Sequence, residues 1–144
     1  MNLRIDKVIR SVGPGFRKVY SLVLTDAGLY ILHTGEVRAL KHYRLDAALN
    51  QVIADHAADR SVMQLQANEA RIDSMPLDEL VNESGSYLVR LDAIEAVEIR
   101  AGQAPALIVH VTGSDHHLAF PLTPLDQVET LRRALSIWSM KKPA

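Results

Sequence analysis

The sequence predicts an α+β fold formed by a single domain that spans residues 1–144. Strand-like apolar runs occupy the first 42 residues and return over residues 86–121, a helical pattern lies between them, and one further helix ends the chain. Strands grouped in two blocks, each followed by helix, are typical of α+β proteins and not of alternating βαβ units. A chain of 144 residues is long enough to bury a core of its own as one domain.

The first block of strands is organised around one hairpin. The apolar runs Tyr20–Leu24 and Leu29–Leu32 flank the turn Thr25–Gly28, in which Asp and Gly are common hairpin-loop residues. The strands predicted around this hairpin are Met1–Val12 and, after a turn at Gly35, Glu36–His42.

The chain changes to helical periodicity at about Arg44, which predicts a helical insertion over about residues 44–83. Its apolar residues recur at steps of three and four in a narrow stripe, and Ala67 and Ala70 continue the stripe. A narrow stripe packs against one surface only, either this protein's own sheet or another subunit. The insertion is either one helix or two with a bend near residues 59–61, and a short helix follows Pro76. The candidate interface residues are Leu45, Leu49, Val52, His56 and Met63.

The second block of strands begins after a loop at residues 82–85. Ile94–Arg100 alternates between apolar and polar residues apart from a one-residue slip at Ala96, which is typical of a β-bulge. The other predicted strands of this block are Ser86–Leu91, Ala106–Thr112 and His116–Pro121.

The last element is predicted as a helix with Thr123 as its N-cap and Pro124 in its first turn. Its apolar residues recur at three- and four-residue steps and predict a face that must be covered. These residues are Leu125, Val128, Leu131, Leu135 and Trp138.

Three stretches, in this order and spacing, resemble the bacterial members of the PH-like (pleckstrin-homology-like) superfamily. They are YSLVLTDAGLYIL at the early hairpin, GSYLVRLDAIEAVEIRAG at a corner where Asp92 and Ile94 hold an aspartate-any-isoleucine pattern, and LIVHVTGSDHHLAFPLTPLDQVETLRRAL at the closing hairpin and helix. The resemblance implies a bent, partly closed antiparallel β-barrel of about seven strands, plugged at one end by the C-terminal helix. The helical insertion is longer than a minimal domain of this kind needs.

Phosphoinositide binding is a further property that the resemblance implies. The eukaryotic lipid sites use closely spaced Lys and Arg around the first β-turn, where they complement phosphates by charge and by directed hydrogen bonds. This chain places basic residues around Gly13-Pro14-Gly15, but their spacing departs from that pattern, and solvated loop charge is the plainer interpretation. The candidate ligand-binding residues are Lys7, Arg10, Arg17 and Lys18.

Three histidines and a carboxylate lie on and around one hairpin, at His110, Asp115, His116 and His117. Two histidines and a carboxylate could together bind zinc. Adjacent strand residues point to opposite faces, so His116 and His117 cannot both face one metal without a bulge. We interpret these residues as strand-surface polarity and predict no metal and no cofactor. The sequence also lacks a phosphate loop, a nucleophile elbow and a paired-carboxylate motif, so we predict that the protein is not an enzyme.

Charge and composition narrow the classes of partner. Residues 1–44 carry eight basic and three acidic residues, and residues 45–99 carry three basic and eleven acidic, so oppositely charged segments can face each other in the fold. The near-neutral total and the two phenylalanines disfavour nucleic-acid binding. The absence of cysteine excludes disulfides and thiolate sites, and the charged steps of MNLRIDKVIR predict neither a secretion signal nor a membrane span. The cytoplasm is the expected location.

These observations predict a non-catalytic binding or scaffolding module. Its expected partner is a protein, and a second copy of the same chain is one possibility, because the narrow helical stripe needs a surface to cover it. The alternative is a binder of a small anionic ligand or a lipid headgroup at the basic loop around residues 13–18, which would include a peripheral contact with lipid.

Overall fold

The computed structural model describes residues 3–13, 16–38, 60–83, 85–100, 105–120 and 123–140. Strands and helices within these ranges form the α+β fold predicted from the sequence. In chain order the elements are β1 (Leu3–Gly13), β2 (Phe16–Thr25), β3 (Gly28–Arg38), α1 (Arg60–Arg71), α2 (Leu77–Leu80), β4 (Tyr87–Val89), a 3₁₀ turn (Leu91–Ala93), β5 (Ile94–Arg100), β6 (Ala106–Val111), β7 (Ser114–Ala119) and α3 (Leu125–Met140).

The seven strands form one antiparallel sheet in the order β4-β3-β2-β1-β7-β6-β5. β1 lies in the middle, where it pairs with β2 along its length and with β7 at Ile9 and Ala119. Among the described residues the edge strands β4 and β5 do not pair with each other, so the sheet is not closed into the predicted barrel. The predicted number of strands and their antiparallel pairing are confirmed.

The sheet is nevertheless strongly curled, because residues from distant strands meet on its inner face. Tyr87 of β4 stacks on His116 of β7 with ring centroids 5.1 Å apart. β4 and β7 are four positions apart in the strand order, which in a flat sheet would separate them by about 19 Å. The curl encloses one hydrophobic core to which all seven strands and α3 contribute, including Val8, Leu22, Ile31, Val89, Ile94, Val109, Leu118, Phe120 and Leu131.

The C-terminal helix α3 closes part of this core. Val128, Leu131 and Leu135 are buried in it, and the helix lies against β5 and the 3₁₀ turn. Leu125, which the sequence assigns to the same inner stripe, is 54% exposed. The buried face therefore begins one turn later than predicted.

The opening hairpin forms as predicted up to Thr34, but the strand does not end there. The predicted turn at Gly35 and separate strand over Glu36–His42 are wrong, because β3 runs without a break over Gly28–Arg38. Val19 pairs with Gly35 and the next pair is Tyr20 with His33, so Thr34 is an extra residue in β3. A Cβ atom at Gly35 would lie 3.3 Å from Cβ of Leu65, so glycine here allows α1 to approach the sheet.

Helices α1 and α2 lie between β3 and β4 in the chain, where the helical insertion is predicted, and they cover the outer face of the first strands. Val23, Tyr30 and Leu32 form a second apolar cluster with Leu80 of α2. The Tyr30 hydroxyl donates to Asp78 at 2.9 Å. The candidate interface residues Leu45, Leu49, Val52 and His56 lie outside the described residues.

A bulge in β1 holds α1 on this face. Ile5 pairs with Leu22 and Val8 with Tyr20, so two residues of β1 oppose one of β2, and Lys7 takes a left-handed φ of 61°. Its ammonium group lies 2.6 and 2.7 Å from the two carboxylate oxygens of Glu69 on α1. The bulge therefore directs the Lys7 side chain away from the core and toward α1.

Glycine at position 28 is tested by replacement with alanine. Gly28 has φ +148°, and an added Cβ atom would lie 2.5 Å from the backbone oxygen of Val89 on β4. At Gly113, φ is +86° but a Cβ atom would meet nothing within 4 Å. We expect Gly28→Ala to lower the free energy of unfolding by about 3 kcal/mol, through both strain and overlap. We expect Gly113→Ala to lower it by about 1 kcal/mol, through strain alone.

Urea denaturation of the two variants and the wild type measures this difference. Equal losses at both positions would contradict the close approach of β4 to the opening hairpin.

Candidate functional site

The inner face of the curled sheet ends in a polar cluster that joins three strands. Val8 of β1 is buried in the core, and Arg10 follows two residues later on the same face. The Arg10 guanidinium donates to the Tyr87 hydroxyl of β4 at 2.8 Å. Tyr87 in turn stacks on His116 of β7 with an angle of 28° between the rings. We call these three residues the Arg10 cluster.

The four predicted ligand-binding residues do not all lie together in the structure. Arg10 pairs with Lys18 across β1 and β2, so these two half-buried cations share one face. Arg17 is placed in the adjacent register position, opposite Ser11. Lys7 lies apart from them, because its ammonium is bound to Glu69 on the outer side of the sheet.

The Arg10 cluster carries a net positive charge. Within the ranges that the structure describes, Arg10 makes no ion pair, and its hydrogen-bond partner is an uncharged phenol. Burial raises the pKa of Tyr87, and the nearby guanidinium offsets part of that rise. Burial also lowers the pKa of the His116 imidazole, and the positive charge of Arg10 lowers it further. Such a site disfavours a second cation and presents donors that suit an anion.

Two members of this cluster were not predicted as site residues. Tyr87 was assigned only to a strand, and His116 was considered only for a metal site. Arg10 and Tyr87 are 77 residues apart in the chain and meet only because the sheet curls. No local sequence pattern could have indicated their contact.

His110, Asp115 and Glu98 form a separate polar group on the outer face of β5, β6 and β7. The His110 Nδ1 atom lies 2.7 Å from the Asp115 carboxylate, and Nε2 lies 3.3 Å from that of Glu98. Asp115 provides the largest contribution to the raised pKa of His110, through its hydrogen bond. In the described part of the chain, no group of three or more His, Cys, Asp or Glu side chains could hold a metal ion.

A small cleft lies between β3 and the helices α1 and α2. Asn68 on its wall donates to the backbone oxygen of Thr34 at 2.8 Å. Arg71 donates to Asn68 and forms an ion pair with Glu83. The polar side chains of the wall are therefore used in contacts with other protein groups, and the hydrogen bond from Asn68 to Thr34 links α1 to β3.

The pH dependence of stability tests the His110 contact. A histidine with a raised folded pKa contributes stability that is fully present below its unfolded pKa of about 6.5 and is lost as pH rises through the folded value. We expect His110→Gln to lower the melting temperature more at pH 5.5 than at pH 8.

His117→Gln is the matched control, because His117 is exposed and makes no ion pair within the described ranges. A loss for His110→Gln that is the same at both pH values would contradict the assignment.

Comparisons with known proteins were made by sequence and by fold. No family model, no curated protein and no solved structure matches this chain. Among the described residues, none of the helices has both the length and the apolar character needed to cross a bilayer.

Proposed function

We propose that this chain is a non-catalytic PH-like binding module that associates with a protein partner, which can be a second copy of itself. Three features support the PH-like assignment: the seven-stranded antiparallel sheet, its strong curl, and the C-terminal helix packed on the enclosed core. They match what the sequence resemblance implies, apart from the open edge between β4 and β5. The assignment favours a binding role over catalysis.

The exposed apolar stripe of α1 carries the proposal of protein association. Leu65 is fully buried against the sheet and Glu69 is bound to Lys7, so these residues mark the inner face of the helix. Met63 is 58% exposed, and Ala67 and Ala70 are also exposed. Residues four and three apart on a helix share one side, so the stripe faces away from the sheet.

This orientation favours one of the two alternatives that the sequence left open. The stripe was expected to pack either on the chain's own sheet or on another subunit. At its described end it does not pack on the sheet, which supports another molecule as the surface that covers it. Leu45, Leu49, Val52 and His56 remain predicted members of the same interface.

Association is tested by replacing Met63 with glutamine. The substitution keeps the length of the side chain but removes apolar surface from the proposed interface, so we expect the dissociation constant of the self-complex to rise about tenfold. Ile137→Gln is the matched control, because Ile137 is 52% exposed on α3, outside the stripe. Sedimentation velocity as a function of concentration measures both variants beside the wild type.

A wild-type protein that is monomeric at every concentration would contradict self-association. Equal weakening by the two variants would show that the stripe of α1 is not the interface.

A second candidate function is the binding of an anionic group beside the β1–β2 turn. The observation that favours it is the adjacent pair Arg10 and Lys18, in which Arg10 has a neutral phenol as its partner. Two cations on one face, with a hydroxyl and an imidazole close by, offer charge and directed donors to a phosphate. A lipid headgroup and a free phosphate share this chemistry.

Removing two basic side chains tests the second candidate. We expect the double variant Arg10→Ala and Lys18→Ala to lose at least about tenfold in affinity for vesicles that contain a phosphoinositide. Arg100→Ala is the control, because it removes a largely exposed cation from β5 at a distant position in the strand order. Vesicle co-sedimentation measures lipid binding, and NMR titration with inorganic phosphate separates headgroup from free anion.

Unchanged binding in the double variant, or the same loss in Arg100→Ala, would contradict a specific site at the basic loop.

A further inference from the structure

The Arg10 cluster is a polar contact that spans the opening between the β4 edge and β7, which we call the mouth of the curled sheet. It joins β4 at one edge to β7, which lies on the far side of β1. Arg10 donates to the Tyr87 hydroxyl, and the Tyr87 ring lies on the ring of His116. β4 has only three residues and pairs with β3 alone, so its ladder of backbone hydrogen bonds holds it from one side only.

We infer that Arg10, Tyr87 and His116 act as a pH-sensitive latch, in which neutral His116 holds the β4 edge against β7 and its protonation releases that edge. The latch is a property of the fold and does not depend on what the protein binds.

The position of His116 makes the charged imidazole unfavourable while the latch is closed. Its Nδ1 atom is buried and has no hydrogen-bond partner among the described residues. Protonation would make both ring nitrogens donors, which would leave a buried N–H without an acceptor. It would also place a second positive charge beside Arg10. Burial is the larger cause of the lowered pKa of His116, and the positive charge of Arg10 adds to it.

The groups that face His116 are contributed by each neighbouring strand. β1 contributes Arg10, and β4 contributes Tyr87. On β6 the opposing residue is Val109, which carries no charge. On β7 itself His117 disfavours protonation and Asp115 favours it, but the Asp115 carboxylate is already bound to His110.

The sign of the response follows from the lowered pKa. The released state has an ordinary histidine with a pKa of about 6.5, whereas the latched state resists the proton. The latch is therefore fully favoured above about pH 6.5 and is lost as pH falls from there toward the folded pKa. His110 has the opposite sign, because its pKa is raised, so the two histidines oppose each other in the total pH dependence of the wild type.

Hydrogen exchange of the β4 amides tests the latch directly. After correction for the intrinsic exchange rate, we expect the protection of Tyr87–Val89 to fall severalfold between pH 7.5 and pH 5 in the wild type. In His116→Phe, whose ring can still stack but cannot be protonated, we expect no such fall. His110→Gln should keep the wild-type response.

A second measurement needs no variant. In an NMR titration of the imidazole signals, His116 of the wild type should titrate below its ordinary value, and the loss of β4 protection should occur between that ordinary value and the His116 midpoint. An unchanged pH response in His116→Phe, or a wild-type β4 whose protection does not change while His116 titrates, would overturn the inference.

Discussion

The bulge at Asp6 and Lys7 is the feature on which the rest of the structure depends. Strand residues alternate between faces, so without the bulge the inner position after Ile5 would be filled by Lys7. Because Asp6 and Lys7 together oppose one residue of β2, the inner position passes to Val8, which is fully buried in the core. The same shift directs Lys7 outward to Glu69. One irregular step in β1 thus keeps a charge out of the core and fastens α1 to the sheet.

This step also separates the basic residues of β1 into two roles. Lys7 is used on the outer face, where it is part of the contact that orients α1. Arg10 is directed to the inner face, beside Lys18 and against Tyr87. The two proposed functions therefore lie on opposite sides of one strand: an apolar stripe on the outer helix, and a cationic cluster at the mouth of the sheet. A partner bound at one side would leave the other accessible.

Features that depend on local chemistry could be predicted from the sequence, and features that depend on distant contacts could not. The hairpin at Thr25–Gly28, the irregular step near Ala96 and the inner face of α3 from Val128 onward were predicted, because each is encoded by neighbouring residues. Gly35 was mistaken for a turn, since its small size serves the approach of Leu65 and not a change of direction. The contact of Tyr87 with His116 arises from the curl of the whole sheet, which no local pattern records.

An open seven-stranded sheet curls until its β4 edge meets β7 over one shared core. NMR cross-relaxation between ring protons tests this most directly. We expect clear nuclear Overhauser contacts between the rings of Tyr87 and His116 at neutral pH, together with those between Tyr20 and His33, whose centroids are 5.4 Å apart on neighbouring strands. Contacts between Tyr20 and His33 without any between Tyr87 and His116 would show a flatter sheet. That result would contradict the meeting of the β4 edge with β7.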